Sequence, residues 1–134
     1  MRLTDHTDYA MRTLMYLNRE KRLVTLSELS KALGISRNNL IKVSHQLAKT
    51  NLIETTRGRS GGLAIGPGKG KTSLKEIVTL TEESFTMAEC FSRKAKSTCT
   101  FLPSCVLKHA LADALNAFLE SLGRKTLDDV TPRK

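Results

Sequence analysis

The sequence predicts a mainly α-helical fold with one small β-hairpin and a long C-terminal helix. Three observations carry that expectation. Apolar residues recur at helical spacing through most of the chain. A short stretch rich in glycine and arginine, RGRSGG at residues 57–62, interrupts them. An extended amphipathic run then follows Pro103.

The elements are justified in chain order. Thr4 or Asp5 can cap a first helix in which Met11, Leu14, Met15 and Leu17 share a face. In TLSELSKALGISRNNLIKVSHQLAKTNLI, Ser27 opens a short helix through Leu33, and Gly34 suits the left-handed position that ends it. Ser36 caps the next helix. There Leu40, Val43 and Leu47 form a buried stripe and leave Asn38, Lys42, Gln46 and Lys49 on the opposite side. Two helices about a tight glycine turn, the second with a polar, cationic outer face, form the helix-turn-helix pattern. LIETTRGRSGGLAI adds two strands, Leu52–Arg57 and Leu63–Ile65. A thin positive loop between them can follow a phosphate backbone or enter a minor groove. The pair, in this order, makes a winged helix-turn-helix.

IGPGKGKTS resembles a phosphate-binding loop and fails its spacing. Only three residues separate Gly66 from Gly70, where that motif needs four, and Pro67 removes a backbone donor. The stretch reads as a flexible basic linker. Ser73 caps a further helix carrying Leu74, Ile77, Val78 and Leu80. CVLKHALADALNAFLESLG then forms the longest helix, with Leu107, Leu111, Ala114, Leu115, Phe118 and Leu122 in one stripe. In a chain of 134 residues such a helix is expected to pair with its twin. The expected units are a winged helix-turn-helix DNA-binding region at 1–66, a linker and helix at 67–89, a cysteine loop at 90–105, and a dimerisation helix with a short tail at 105–134.

Lys and Arg number 22 against 13 Asp and Glu, a net charge of +9. That balance draws polyanions, nucleic acid first and anionic membrane surfaces second. No signal peptide or membrane span is read, so a cytoplasmic, non-enzymatic DNA reader is expected. On the second helix of the pair, Ser36, Arg37, Asn38 and Asn39 lead towards base edges, with Lys42 and Lys49 nearer phosphates. On the wing, Arg57, Arg59, Ser60 and Gly61 are the contact residues.

All three cysteines lie between residues 90 and 105. In a reducing compartment, bunched thiols point to metal or redox chemistry rather than disulfides. Cys90, Cys99 and Cys105 have the spacing C-x8-C-x5-C, without the short knuckles of zinc fingers. Wide spacing suits a bulky cluster, but spacing alone leaves zinc and iron–sulfur open. No fourth thiol exists. The completing ligand is therefore an oxygen or nitrogen donor, and Glu89 and His109 lie close in sequence.

MRLTDHTDYAMRTLMYL, LGISRNNLIKVSHQLAKTNLIETTRGRSGGLAIG and the closing C-x-x-x-P-x-C before VLKHAL resemble the NsrR family of nitric-oxide-responsive repressors. That family belongs to a larger group of winged-helix iron–sulfur regulators, and the likeness runs from residue 1 to about 130. It implies a homodimer that binds a palindromic operator in double-stranded DNA while its cluster is intact. Nitric oxide, the signal, then lifts repression. A [4Fe–4S] cluster is favoured over [2Fe–2S]. Some members use an aspartate in the first helix, so the resemblance implies Asp8, from the partner subunit, as the fourth ligand. In related regulators of iron–sulfur assembly a histidine follows the last cysteine by three residues, where this chain has Lys108. Four alternatives remain: a redox-status regulator of the same group, a zinc-stabilised repressor, an iron–sulfur electron carrier, or unrelated thiols.

Overall fold

The structure, a computed structural model, describes residues 1–93 and 98–134. Helix α1 spans Asp5–Glu20, and the side chain of Thr4, rather than Asp5, caps it by accepting the Thr7 amide. Ala10, Leu14 and Leu17 are fully buried along it, with Met11 and Met15 packed at the edge. Helix α2 is Leu26–Leu33. It starts one residue earlier than expected, because the Thr25 hydroxyl caps it by accepting the Glu28 amide at 3.1 Å. Gly34, at φ +64°, ends it and turns the chain into α3, Arg37–Lys49. Leu29, Ile35, Leu40, Val43 and Leu47 close the core between α1, α2 and α3. Each such burial contributes about 1.5–3 kcal/mol.

The hairpin pairs β1, Ile53–Thr56, with β2, Gly62–Ile65, antiparallel, Ile53 opposite Ile65 and Thr56 opposite Gly62. It is shorter at its start than the sequence implies. The Leu52 amide returns to the Leu47 carbonyl at the end of α3 instead of joining the ladder, and Arg57 falls in the tip. Val24 bridges Leu63 on the other edge of β2, which fixes the wing to the body.

Residues 66–72 are not a free linker. The Gly66 amide bonds to Leu52 O, Lys69–Lys71 form a 3-10 turn, and Thr72 O accepts the Leu127 amide at 2.9 Å. Gly70 is buried so tightly that a β-carbon there would lie 2.1 Å from Asp128 Oδ1. The tail is held by the same contacts. Helix α6, Leu127–Val130, places Leu127 in the winged-helix core, and Asn18 Nδ2 donates to Asp128 and Thr131. The chain beyond the long helix thus returns to pack on α1 and on the turn at residues 69–72.

Helix α4, Leu74–Thr81, is capped by Ser73 and buries Leu74, Ile77 and Val78. The residue after it, Glu82, reaches back to α1 and accepts from the Thr4 amide, the Thr4 hydroxyl and the Thr7 hydroxyl. Burial pushes the Glu82 carboxyl up. The bonds from Thr7 and Thr4, with His6 nearby, outweigh it and hold the group below its ordinary value. This clasp therefore contributes stability above the ordinary carboxylate range, and that contribution is lost as pH falls through the depressed value. Wild type is expected to exceed Glu82→Gln in stability at neutral pH. Denaturant unfolding should show the gap closing as the pH falls through the depressed value of the Glu82 carboxyl.

After a 3-10 turn at Glu89–Phe91 comes helix α5, Val106–Gly123, packed on α4. No residue of α5 is buried, and Val106 and Leu107 are 80% and 65% exposed. Among the described residues no helix is long and apolar enough to cross a membrane.

Candidate nucleic-acid interface and cysteine loop

Helix α3 is built to present one side. Ser36 caps it by accepting the Asn39 amide at 3.2 Å, which fixes the orientation of the first turn. With Leu40, Val43 and Leu47 inward, the exposed side carries Ser36, Arg37, Asn38, Ile41, Lys42, His45 and Lys49; Asn39 is half-buried. Arg37 Nη1 donates to Ser27 Oγ at 3.3 Å, so its guanidinium is steadied from α2. Ile41 and His45 were not singled out from sequence. Their signal was the spacing of the exposed positions 37, 41, 45 and 49, one turn apart. Ile41, 46% exposed, is an apolar group of the kind that reads a thymine methyl.

Gln46 corrects the sequence expectation for this face. It turns inward, accepts from His6 of α1 and donates through Nε2 to Leu80 O of α4 at 2.7 Å. The donor to Leu80 O must be the amide nitrogen, so the oxygen faces the ring and His6 carries its hydrogen on Nε2.

The wing tip exposes Arg57, Arg59 and Ser60. Gly58, at φ +102°, makes the bend, and the Gly61 amide closes the turn on Gly58 O at 3.0 Å. A β-carbon on Gly61 would lie 2.2 Å from Thr56 O and 2.8 Å from Gly58 O, both backbone atoms. Gly61→Ala is therefore expected to open the tip and weaken DNA binding while the core stays intact. Titration of a labelled duplex beside thermal unfolding checks this, and unchanged affinity would show that tip geometry does not matter.

At the cysteine loop, Cys90 sits in the 3-10 turn and is half-buried, as is Cys105, whereas Cys99 is exposed. Cys105 is the N-cap of α5 rather than a member of its first turn, because its Sγ accepts the Lys108 amide at 3.4 Å. The Lys108 ammonium lies 5.7 Å from the ring centre of Phe91, the neighbour of Cys90. One residue thus ties together the two ends of the loop. The middle of the loop, residues 94–97, lies outside the described residues. Among the described residues no three His, Cys, Asp or Glu side chains converge to hold a metal ion within one chain. Donor chemistry fits an iron–sulfur cluster nonetheless: three soft sulfurs, widely spaced, on a loop with joined ends.

Asp8 lies on α1 with its carboxylate 54% exposed, paired to Arg12 at 2.9 Å one turn along. Arg12 also donates to Leu33 O and lies against Tyr9, so the carboxylate is held outward on the helix surface.

A cationic helix-turn-helix with a basic wing, joined to a cysteine loop and a long helix whose first turn exposes Val106 and Leu107, defines the class of winged-helix transcription regulators. Residues 3–133 match the family model of Rrf2, described as an iron-dependent transcriptional regulator, and the chain belongs to that family. It is 38% identical over 132 residues to the HTH-type transcriptional regulator NsrR of Bacillus licheniformis, covering 97% of this chain and 92% of that one. It is 43% identical over 132 residues to protein aau3 of Rhizobium meliloti, covering 97% and 84%. The oxidised form of Staphylococcus aureus CymR shares the fold at 17% identity, with a TM-score of 0.76 over 100% of this chain and 98% of that one. The resemblance to NsrR-type regulators and the winged-helix expectation are borne out, and transcriptional regulation is a non-enzymatic role.

Proposed function

We propose that the chain acts in the cytoplasm as a homodimeric repressor, released from its operator when an iron–sulfur cluster, [4Fe–4S] in form, meets nitric oxide. Cys90, Cys99 and Cys105 would hold the cluster, with Asp8 of the partner subunit as the fourth ligand. When bound, the cluster would supply iron to which a small diatomic molecule can coordinate. A carboxylate is a harder, more weakly held ligand there than a thiolate, which leaves that position exchangeable. The iron-dependent description of the matching family favours this reading over a zinc-stabilised repressor, and the naming of the relatives as transcriptional regulators favours it over an electron carrier.

The observation that carries the proposal is the position of Cys105. It caps the helix whose first turn leaves Val106 and Leu107 exposed, so the end of the loop and an apolar surface open to a second copy adjoin. Two copies would present two α3 helices to the two halves of a palindrome. Ser36, Arg37, Asn38 and Asn39, with Ile41, would meet base edges. Lys42, Lys49 and the wing residues Arg57, Arg59, Ser60 and Gly61 would follow phosphates or a narrow minor groove.

The direct test is anaerobic purification with iron and sulfide analysis, followed by nitric oxide titration while binding to a selected palindromic duplex is measured. Loss of binding in step with loss of cluster absorption supports the proposal, and binding indifferent to the cluster overturns it. Leu107→Asp tests the dimer separately. Leu107 is exposed in the single chain, so the change is expected to leave the fold intact and give a monomer in sedimentation. Persistence of the dimer would place the interface elsewhere.

A further inference from the structure

Helix α4 ends where the chain enters the segment leading to Cys90, and that junction is pinned twice. On one side Glu82, the first residue past α4, closes the N-terminus of α1 through Thr4 and Thr7. On the other, the Leu80 carbonyl in the last turn of α4, which has no partner within its own helix, accepts from Gln46 Nε2 at 2.7 Å. Gln46 stands on the recognition helix α3, one turn beyond Lys42. Its oxygen accepts from His6, which follows Asp5 in the first turn of α1. A single amide thus touches the start of α1, the end of α4 and the DNA-reading helix.

From this we infer that Gln46 is the positioning residue through which the state of the cysteine segment reaches the recognition helix. The inference rests on the cluster-switched repressor proposed above. Its physical basis is that the amide cannot serve both neighbours unless α1, α3 and α4 keep one relative arrangement. Displacement of residues 82–90 moves Leu80 or Glu82. Movement of Leu80 acts on Gln46 directly, and movement of Glu82 acts through Thr4, Thr7 and the turn carrying His6. Either route shifts α3 where its outer face carries Lys42, His45 and Lys49. A side chain that merely braced the fold would stabilise the loaded and cluster-free forms alike.

The test compares wild type, Gln46→Met and Gln46→Glu, each loaded and cluster-free, on a duplex selected from a random-sequence pool by the loaded wild-type protein. Methionine keeps the length and loses both bonds. Glutamate keeps the acceptor for His6 and loses the donor to Leu80 O. Coupling between two sites commonly amounts to about 5- to 150-fold in affinity. In wild type a loaded-to-free ratio in that range is expected. In Gln46→Met it should collapse towards unity with the cluster absorption spectrum unchanged, and in Gln46→Glu it should fall between the two. Amide exchange, read on the cluster-free proteins, should quicken together in the last turns of α3 and α4 of the methionine variant. If both forms of either variant lose affinity in parallel and the ratio is preserved, Gln46 is a brace and the inference fails alone. If loaded and free wild type bind equally, the switch itself fails and the inference with it. Should Gln46→Met not fold, the glutamate variant decides by the same ratio.

Discussion

Cys105→Ser is expected to abolish cluster loading and lower operator affinity by roughly 5- to 150-fold, while leaving α5 in place. The substitution separates two roles of one side chain. Cys105 caps α5 through the 3.4 Å contact from the Lys108 amide, and serine is a better cap than cysteine. The helix therefore keeps its start, and its exposed Val106 and Leu107 remain available to a second copy. The hydroxyl is a hard donor in place of a soft thiolate, so the change falls on the proposed metal site alone. Iron and sulfide content, far-ultraviolet circular dichroism and duplex titration together check this. A variant that lacks iron yet binds as tightly as the loaded protein would remove the cluster from the switch.

Leu14→Ala is expected to remove about 2–5 kcal/mol of stability, a large share of what a domain of this size possesses. Leu14 is fully buried in the middle of α1, the helix that packs against α2, α3, α4, α6 and the wing strand β2. Truncation leaves a void that these elements cannot all close at once, because each is also held by others. Urea unfolding gives the loss directly. A loss under 1 kcal/mol, the size of an ordinary surface change, would mean that the core repacks around the gap. DNA affinity of the fraction still folded should be nearly unchanged, since none of the residues proposed to meet DNA lies on α1.

Much of the fold was legible because its signals are local. The caps Thr4, Ser36 and Ser73, the left-handed Gly34, and the stripe of Leu40, Val43 and Leu47 are each set by neighbours within a turn or two. The same holds for the exposed cationic face of α3, which is the complement of a buried stripe, and for the cysteine spacing. At the start of α2 two hydroxyl residues, Thr25 and Ser27, stand close together. Which of them caps is decided by backbone direction, and Thr25 has the extended conformation a cap requires.

By itself the sequence determined a mainly α chain with a winged helix-turn-helix, an exposed cationic face on α3, three clustered thiols and a long apolar-striped helix. Tertiary structure alone decided which residues leave those local roles. Gln46 has the spacing of a DNA-facing residue, yet it bonds Leu80 O, 34 residues away, and His6, 40 residues away. Gly70 belongs to a stretch that reads as linker, but Asp128 packs where its β-carbon would be. Leu127 sits in a tail with little amphipathic pattern, yet it fills the core beside Asn18 and α1. Helical periodicity reports which side of an element is apolar. It carries no record of which distant polar group will meet a particular amide or carbonyl, and that pairing is fixed only when the elements pack.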